Sequence, residues 1–483
     1  LNILVSVFLF IIKGLDASYV SAQKLCIYLL LIKLVNNKEQ ITMSKKIEKK
    51  PKYVHGIKAN FGQFCQQLLQ VFFIGLTIGM QRNVVPILAE MDFGVPAGSF
   101  TLLMAFIISF GFVKGAMNFL AGRLSESVGR RKVLLWGWIA AFPIPFIFLY
   151  APSWSWIVCA NVLLGVNQGF AWSMTVTSKV DITRPDQRGL ATGLNEFFGY
   201  GGVAIAGVVT GYLAAYFDPR WSLFSFGLAI VAVAFLTAYF FSKDTLPWVQ
   251  VEATAHKDGT HKGPTPRFPN IHENPSAMEV FTLVSYKHRT FSALSQAGCV
   301  EKFVDALVWA FFPIYFLNHG LSVVEIGWLV GIYGMVWGAS QLWTGPLSDA
   351  IGRKWPIVIG MWVCGIGVMT TVLVNGVFYW SVTAAVMGIG MALLYPTLIA
   401  AVGDISHPNW RGSSLGTYRF WRDTGYGIGA LSIGLVAEMT GNIEAGFILT
   451  AGAMGLSGLW TLIAVEETHP KFNPAKVEKR EKF

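Results

Sequence analysis

Gly122-Arg123-Leu124-Ser125-Glu126-Ser127-Val128-Gly129-Arg130-Arg131 returns later in the chain as Gly345-Pro346-Leu347-Ser348-Asp349-Ala350-Ile351-Gly352-Arg353-Lys354. Glycine, serine, acid, glycine and a basic pair fall at the same places, at an offset of 345 − 122 = 223 residues. The same shift pairs Asp181 with Asp404, Pro185 with Pro408, Arg188-Gly189 with Arg411-Gly412, Gly193 with Gly416 and Gly211 with Gly434. A shift that holds without gaps across several segments marks a duplicated unit.

Both copies of the segment lie between long apolar runs. Six runs, at about 61–88, 98–120, 133–151, 154–176, 190–216 and 221–241, precede a polar stretch; six more follow, at about 290–317, 322–344, 355–375, 378–400, 413–437 and 446–465. About 20 apolar residues span a bilayer as a helix, and only helices and closed barrels satisfy the backbone in lipid. The expected fold is therefore an all-α integral membrane protein of twelve transmembrane helices in two pseudo-symmetric six-helix bundles. Six is even, so the copies share one orientation and a solute path is expected between them near the midplane. Composition agrees: of 483 residues 54% are hydrophobic and 13% charged, with mean hydropathy +0.52. Soluble domains carry about 25% charged residues. The net charge of +10 sits in short loops and tails, so it does not imply nucleic acid.

Charge sidedness gives the orientation. Lys45, Lys46, Lys49, Lys50, Lys52 and Lys58 precede the first run; Arg123, Arg130, Arg131 and Lys132, then Lys179, Arg184 and Arg188, then Arg353, Lys354 and Arg411 follow on the same side. Opposite loops hold Glu90, Asp92, Asp218, Glu438 and Glu444, with Arg220 the one cation found there. Both termini are expected in the cytoplasm. The division read from the runs is 43–60 as a cytoplasmic tail, 61–242 as the N-terminal bundle, 243–288 as a flexible cytoplasmic linker, 289–467 as the C-terminal bundle and 468–483 as a second cytoplasmic tail. Met43-Ser44-Lys45-Lys46 reads as a natural start, and 1–42 as an upstream extension.

The segments at 122–132 and 345–354 resemble the signature loop between the second and third helices of the major facilitator superfamily, and the resemblance extends over about 57–467. It implies a monomeric carrier that moves a small solute by alternating access. Gly122, Glu126, Gly129 and Arg130, with Gly345, Asp349, Gly352 and Arg353, would then be a conformational latch. The residues bear the role physically. The glycines permit close helix approach, and Glu126 and Asp349 can cap helix ends or pair with Arg130 and Arg353. Two departures lower a drug-antiporter reading. Gly165-Val166-Asn167-Gln168-Gly169 lacks the arginine those antiporters often carry in the fourth helix, and Gly199-Tyr200-Gly201-Gly202 lacks their fifth-helix proline.

Ionisable residues inside spans are expensive and mark a pathway. Those read as substrate or proton pathway are Arg82, Glu196, Glu301, Asp305, Arg419, Arg422 and Asp423, joined by Gln168; Lys114 also lies within a run. The repeat sets Arg82 against Asp305 and Glu196 against Arg419, which suggests ion pairs that break and remake across the cavity. Glu301 and Asp305, four residues apart, share a helix face; two acids so close in low dielectric suggest a proton site, the alternative being that Arg82 or another cation holds both ionised. Arg419, one turn before Asp423, is expected to neutralise it and leave Arg422 for an anionic group.

Together these readings predict a secondary transporter of a small solute, proton-coupled, inclined to an organic anion or zwitterion, in a bacterial inner membrane. A multidrug or metabolite exporter is the second reading, and a non-transporting sensor or scaffold the third. No catalytic constellation, phosphate-binding loop or cofactor motif is found. Cys26, Cys65, Cys159, Cys299 and Cys364 lack paired or metal-ligand spacing, and His256 and His261 are read as no metal site.

Overall fold

A computed structural model describes residues 53–94, 100–257 and 275–472. The readings for 1–42, most of the first tail, the middle of the linker and most of the second tail fall outside the described residues.

The described chain is helical: α1 (Phe61–Phe93), α2 (Phe100–Val128), α3 (Arg130–Tyr150), α4 (Trp154–Ile182), α5 (Arg188–Tyr216) and α6 (Pro219–Phe241) form the first half. Then come α7 (Leu246–Lys257) and α8 (Ala277–Thr282). The second half is α9 (289–318), α10 (Val323–Ile351), α11 (Lys354–Thr371), α12 (Val377–Ile405), α13 (Arg411–Thr440) and α14 (Glu444–Ala464). The 223-residue shift carries α2 onto α10 and α4 onto α12 residue for residue, and carries the 3-10 turn Pro185–Gln187 onto Pro408–Trp410. The fold is two six-helix bundles related by that repeat. Among the described residues, eight helices are long and apolar enough by themselves to cross a membrane. The other four spans, α2, α9, α10 and α13, carry Lys114, the Glu301–Asp305 group, Asp349 and the Arg419–Asp423 group.

Glycine decides where helices cross. Gly75 and Gly79 of α1 press on the backbone of α5 at Gly199 and Val203, too close for any side chain. Between the halves, Gly122 meets Gly412 and Gly416, and Gly189 meets Gly345. The halves thus join along two seams, α2 with α13 and α5 with α10. Prolines leave carbonyls that neighbours satisfy. Pro396 has no N–H for the Ala392 carbonyl, and the Thr344 hydroxyl donates to that oxygen at 2.6 Å. In α9, Pro313 follows a π turn at Leu307–Phe311; α4 carries another at Gln168–Trp172.

The linker departs from the flexible segment expected. Trp248 of α7 is buried in an apolar cluster with Phe64, Leu68, Ile182 and Ala191, and that burial stabilises a helix within the polar stretch. A capping box of Ser276 and Glu279 starts α8.

Candidate functional site

Two groups of buried charges stand out, one at the signature-loop end and one at mid-span. At the loop end the repeat is kept in the bonds themselves. Arg130 Nε donates to Asp181 Oδ2 at 2.9 Å, and Arg353 Nε donates to Asp404 Oδ2 at 2.9 Å. Each acid also meets an arginine of the other half: Arg188 lies 3.0 Å from Asp404, and Arg411 lies 3.7 Å from Asp181.

The two signature acids cross the seams. Glu126 accepts from the Ser413 N–H at 2.6 Å and the Ser413 hydroxyl at 2.7 Å, in the first turn of α13. Asp349 accepts from the N–H groups of Gly189 and Leu190 at 2.9 and 2.8 Å, in the first turn of α5. First-turn N–H groups have no partner within their own helix and favour an anion. Each half therefore caps a helix of the other. Asp349 also pairs with Arg353 at 2.7 Å, whereas Glu126 pairs with Arg123 at 3.3 Å. Gly129 and Gly352 turn the chain at φ of 93° and 97°, a region that suits glycine. The carboxylates of Asp244 and Glu467, themselves repeat mates, occupy the space a side chain there would need.

Glu252 of α7 was not singled out in the sequence. Its carboxylate takes both Arg411 Nη atoms, at 2.8 and 2.6 Å, and lies 3.7 Å from Arg188 and 3.7 Å from His55 Nε2. Burial holds His55 below the usual histidine value; Glu252 opposes this, while Arg411 and Arg188 add to it.

The mid-span group corrects several pairings expected from spacing. The expected pairing of Asp305 with Arg82 rests on a side chain outside the described residues. Asp305 has other partners. It accepts from Lys302 Nζ at 2.7 Å, Tyr333 Oη at 2.5 Å and Tyr426 Oη at 3.2 Å. Lys302, missed in the sequence, also lies 3.6 Å from Glu301 Oε1, so a cation separates the two acids. Glu301 is fully buried and neither oxygen accepts a hydrogen bond.

Asp423 is held by Arg422, through Nε at 2.8 Å and Nη2 at 2.6 Å, and not by Arg419. Its other oxygen is taken from α2, by Asn118 Nδ2 at 2.7 Å and Lys114 at 3.5 Å. Arg419 is shut out: it is 1% exposed, yet Nε, Nη1 and Nη2 all lack an acceptor. Its repeat mate Glu196 does not bond to it. Glu196 accepts from Trp172 Nε1 at 3.0 Å and Asn195 Nδ2 at 2.7 Å through one oxygen, and the other oxygen has no partner. Gln168 is turned away from the seam between halves. Its amide donates to Ile74 O and Thr77 Oγ1 of α1, both at 3.2 Å, because those groups face it within the same bundle.

Aromatic rings bind the group into one body. Lys302 sits over Tyr395 at 4.4 Å, Trp337 at 5.0 Å and Tyr426 at 5.2 Å, and Arg422 over Tyr395 at 4.3 Å. Tyr200 of α5 reaches across to Trp337 at 4.2 Å. The arrangement offers unmatched donors on Arg419, Trp337 Nε1 and Arg422 Nη1, and unmatched acceptors on Glu301 and Glu196. Among the described residues no group of His, Cys, Asp and Glu is placed to hold a metal.

This architecture has relatives. A proton-coupled antiporter flippase, LtaA of Staphylococcus saprophyticus, is 22% identical over 71% of this chain and 80% of its own length. Three other curated relatives align over only 30% to 44% of their own length. Among solved structures, the human organic anion transporter MFSD10 superposes with TM-score 0.67 at 16% identity, covering 83% of this chain and 99% of that one. The proton:xylose symporter XylE gives TM-score 0.67 at 15% identity, covering 85% and 98%. The family model described as Major Facilitator Superfamily matches twice, over 68–299 and 294–483, once for each half of the repeat. This chain, a multi-pass integral membrane protein, belongs to the Major Facilitator Superfamily.

Proposed function

We propose that the chain is a monomeric secondary transporter that carries a small organic anion or zwitterion by alternating access of 61–242 against 289–467. Protons are the coupling ion, the signature loops face the cytoplasm, and the membrane is a bacterial inner membrane. Arg419 is the observation that carries this reading: a buried guanidinium with no acceptor on any nitrogen. Leaving a buried charge without a partner costs several kcal/mol, roughly 3–5 where pairs have been broken. A substrate carboxylate or phosphate supplies what is missing. The bare oxygens of Glu301 and Glu196 are the places for a proton or a substrate ammonium. The proton-coupled antiporter among the relatives and the proton symporter among the fold neighbours support the coupling ion.

An exporter of lipophilic cations is the second reading. Tyr395, Trp337 and Tyr426 form an aromatic seat for a cation, occupied by Lys302. Thermal unfolding of the purified full chain with panels of anionic metabolites and lipophilic cations, at pH 5.5 and 7.5, separates the two. A ligand at a hundred times its Kd adds about 2.7 kcal/mol. Stabilisation by anions that is lost in Arg419→Ala is the expected outcome. Stabilisation by lipophilic cations alone puts the second reading first.

A further inference from the structure

The repeat makes the two seams counterparts, and toward the signature loops both are tight. Past mid-span they differ. Gly111 of α2 lies against Asp423 and Tyr426 of α13, and Gly427 of α13 against the Phe112 ring. Their repeat mates are Gly334 of α10 and Ala204 of α5. A Cβ added at Gly334 would meet nothing within 4 Å, and the same holds at Gly331 and Gly327. Ala204 is exposed, and Met335, the mate of Phe112, is 56% exposed. One seam stays shut at the level where the other has parted. Rocking of the halves toward water parts both seams together. Parting one alone leaves a slot in the side of the bundle, where the bilayer lies.

The slot's edges suit lipid. From Phe197 to Tyr216 on α5, and from Gly327 to Gln341 on α10, there is no Asp, Glu, Lys or Arg. The slot ends at the Tyr200–Trp337 ring pair. Fully buried there, Trp337 Nε1 and both amide atoms of Gln341 lack partners. Gln341 lies on the seam itself, its backbone packed on Gly193. Past the rings, Tyr395 packs on Trp337 at 5.7 Å and beneath Arg422, and Arg419 is one turn away on α13.

We propose that the substrate is an anionic amphiphile, an acidic head on a single hydrocarbon chain, admitted sideways from the bilayer through the α5–α10 slot. The head takes the free donors of Trp337, Gln341 and Arg419. The chain lies along Gly334, Gly331 and Gly327. Charge complementarity selects the acidic head, and the uncharged walls select the chain. This rests on the anion reading above and narrows its substrate class.

The test uses the full chain in phosphatidylcholine nanodiscs, with butanoate and dodecanoate as probes and dodecyltrimethylammonium as the cationic control. Partition into the bilayer favours the longer acid whatever the protein does, so the informative quantity is the ratio of apparent affinities in wild type against Gly331→Trp. A tryptophan there fills open space, and an unchanged melting temperature without ligand verifies the fold; Gly334→Leu serves if that variant fails to fold. The expected result is a dodecanoate/butanoate ratio at least tenfold lower in the plugged variant. An equal ratio in both proteins overturns the slot, and binding of the cationic control as tight as dodecanoate overturns the acidic head. If butanoate binds in an Arg419-dependent way while plugging changes nothing, the slot falls and the anion reading stands. If neither acid responds to Arg419→Ala, the anion reading itself falls.

Discussion

At the signature-loop end the two halves use the same residues for the same bonds; at mid-span they do not. Arg130–Asp181 and Arg353–Asp404 are equal to 0.1 Å, at 2.9 Å each. Asp244 and Glu467 fill equivalent places beside Gly129 and Gly352. At mid-span, Glu301, Lys302, Asp305, Arg422 and Asp423 stand opposite Ile78, Gly79, Arg82, Gly199 and Tyr200. In the first half two of those positions serve packing: Gly79 crosses α5, and Gly199 lies under Trp172. In the second half they carry charge. Symmetry survives in the loop-end bonds and caps, and breaks at mid-span, where the proposed function places the ligand. The second half contributes most of the buried mid-span charges, and the first adds Lys114, Asn118 and Glu196.

The largest effect is expected from testing the symmetric belt directly. Arg130→Ala and Arg353→Ala each take one arginine from a buried aspartate, leaving Asp181 with Arg411 at 3.7 Å and Asp404 with Arg188 at 3.0 Å, and each should destabilise by up to about 3–5 kcal/mol. Denaturant unfolding in detergent measures both. Similar losses support equal structural roles, and a loss in one half alone breaks the comparison. Arg419→Ala gives the contrast, because it removes a buried charge that has no acceptor. Unliganded stability should be unchanged or higher; a loss as large as that of the arginines at the loop end would make Arg419 structural.

Next in size are the caps that cross the seams. Removing an N-cap acceptor costs about 0.5–2 kcal/mol. Because the caps of Glu126 and Asp349 cross the closed end of the seams, whereas their pairs with Arg123 and Arg353 lie within one half, the loss of the cap in Glu126→Ala or Asp349→Ala falls on that closed state. The open population should rise about 2- to 30-fold at 1.4 kcal/mol per decade. Spin labels at Arg184 and Asn409, exposed at that end in opposite halves, report it as a second, longer distance in a cysteine-free background. The double variant should exceed either single one; no change in any variant would leave these caps without a gating role.

Much of this was legible because it is written in periodicity. Run lengths and the 223-residue shift need no tertiary knowledge, and the shift predicts that α10 and α12 repeat α2 and α4. The pairings were not legible, because they are settled by neighbours from other helices. One-turn spacing suggests Arg419 for Asp423, but Asn118 and Lys114 arrive from α2, and Arg422 has the geometry for the remaining oxygen. Lys302 had a local signal: a lysine next to one acid and three residues before another, the spacing of a helical ion pair. Glu252 had none, since its place beside Arg411 follows from Trp248 anchoring α7 to the first half. Pro313 hints at the π turn in α9; nothing in the sequence marks the one at Gln168.

The smallest expected effect sharpens the comparison at its one asymmetric point. His55 has Met278 as its repeat mate, so only one half brings a titratable ring to the Glu252–Arg411 pair. Burial, with Arg411 and Arg188 nearby, keeps the folded-state value of His55 below the ordinary 6.5. The unfolded chain therefore binds this proton more readily. By linkage the folded state keeps its full stability above about pH 6.5 and loses it as pH falls through that value. Melting temperature between pH 7.5 and 5.5 should fall further in wild type than in His55→Gln, by less than the cap variants produce. Retention of the whole pH dependence in His55→Gln would assign it elsewhere. His469, beside Arg353 in the second half, is lowered for the same reason, burial first. If His469→Gln removes as much of the slope as His55→Gln, the pH response belongs to both halves and the asymmetry at the loop end disappears.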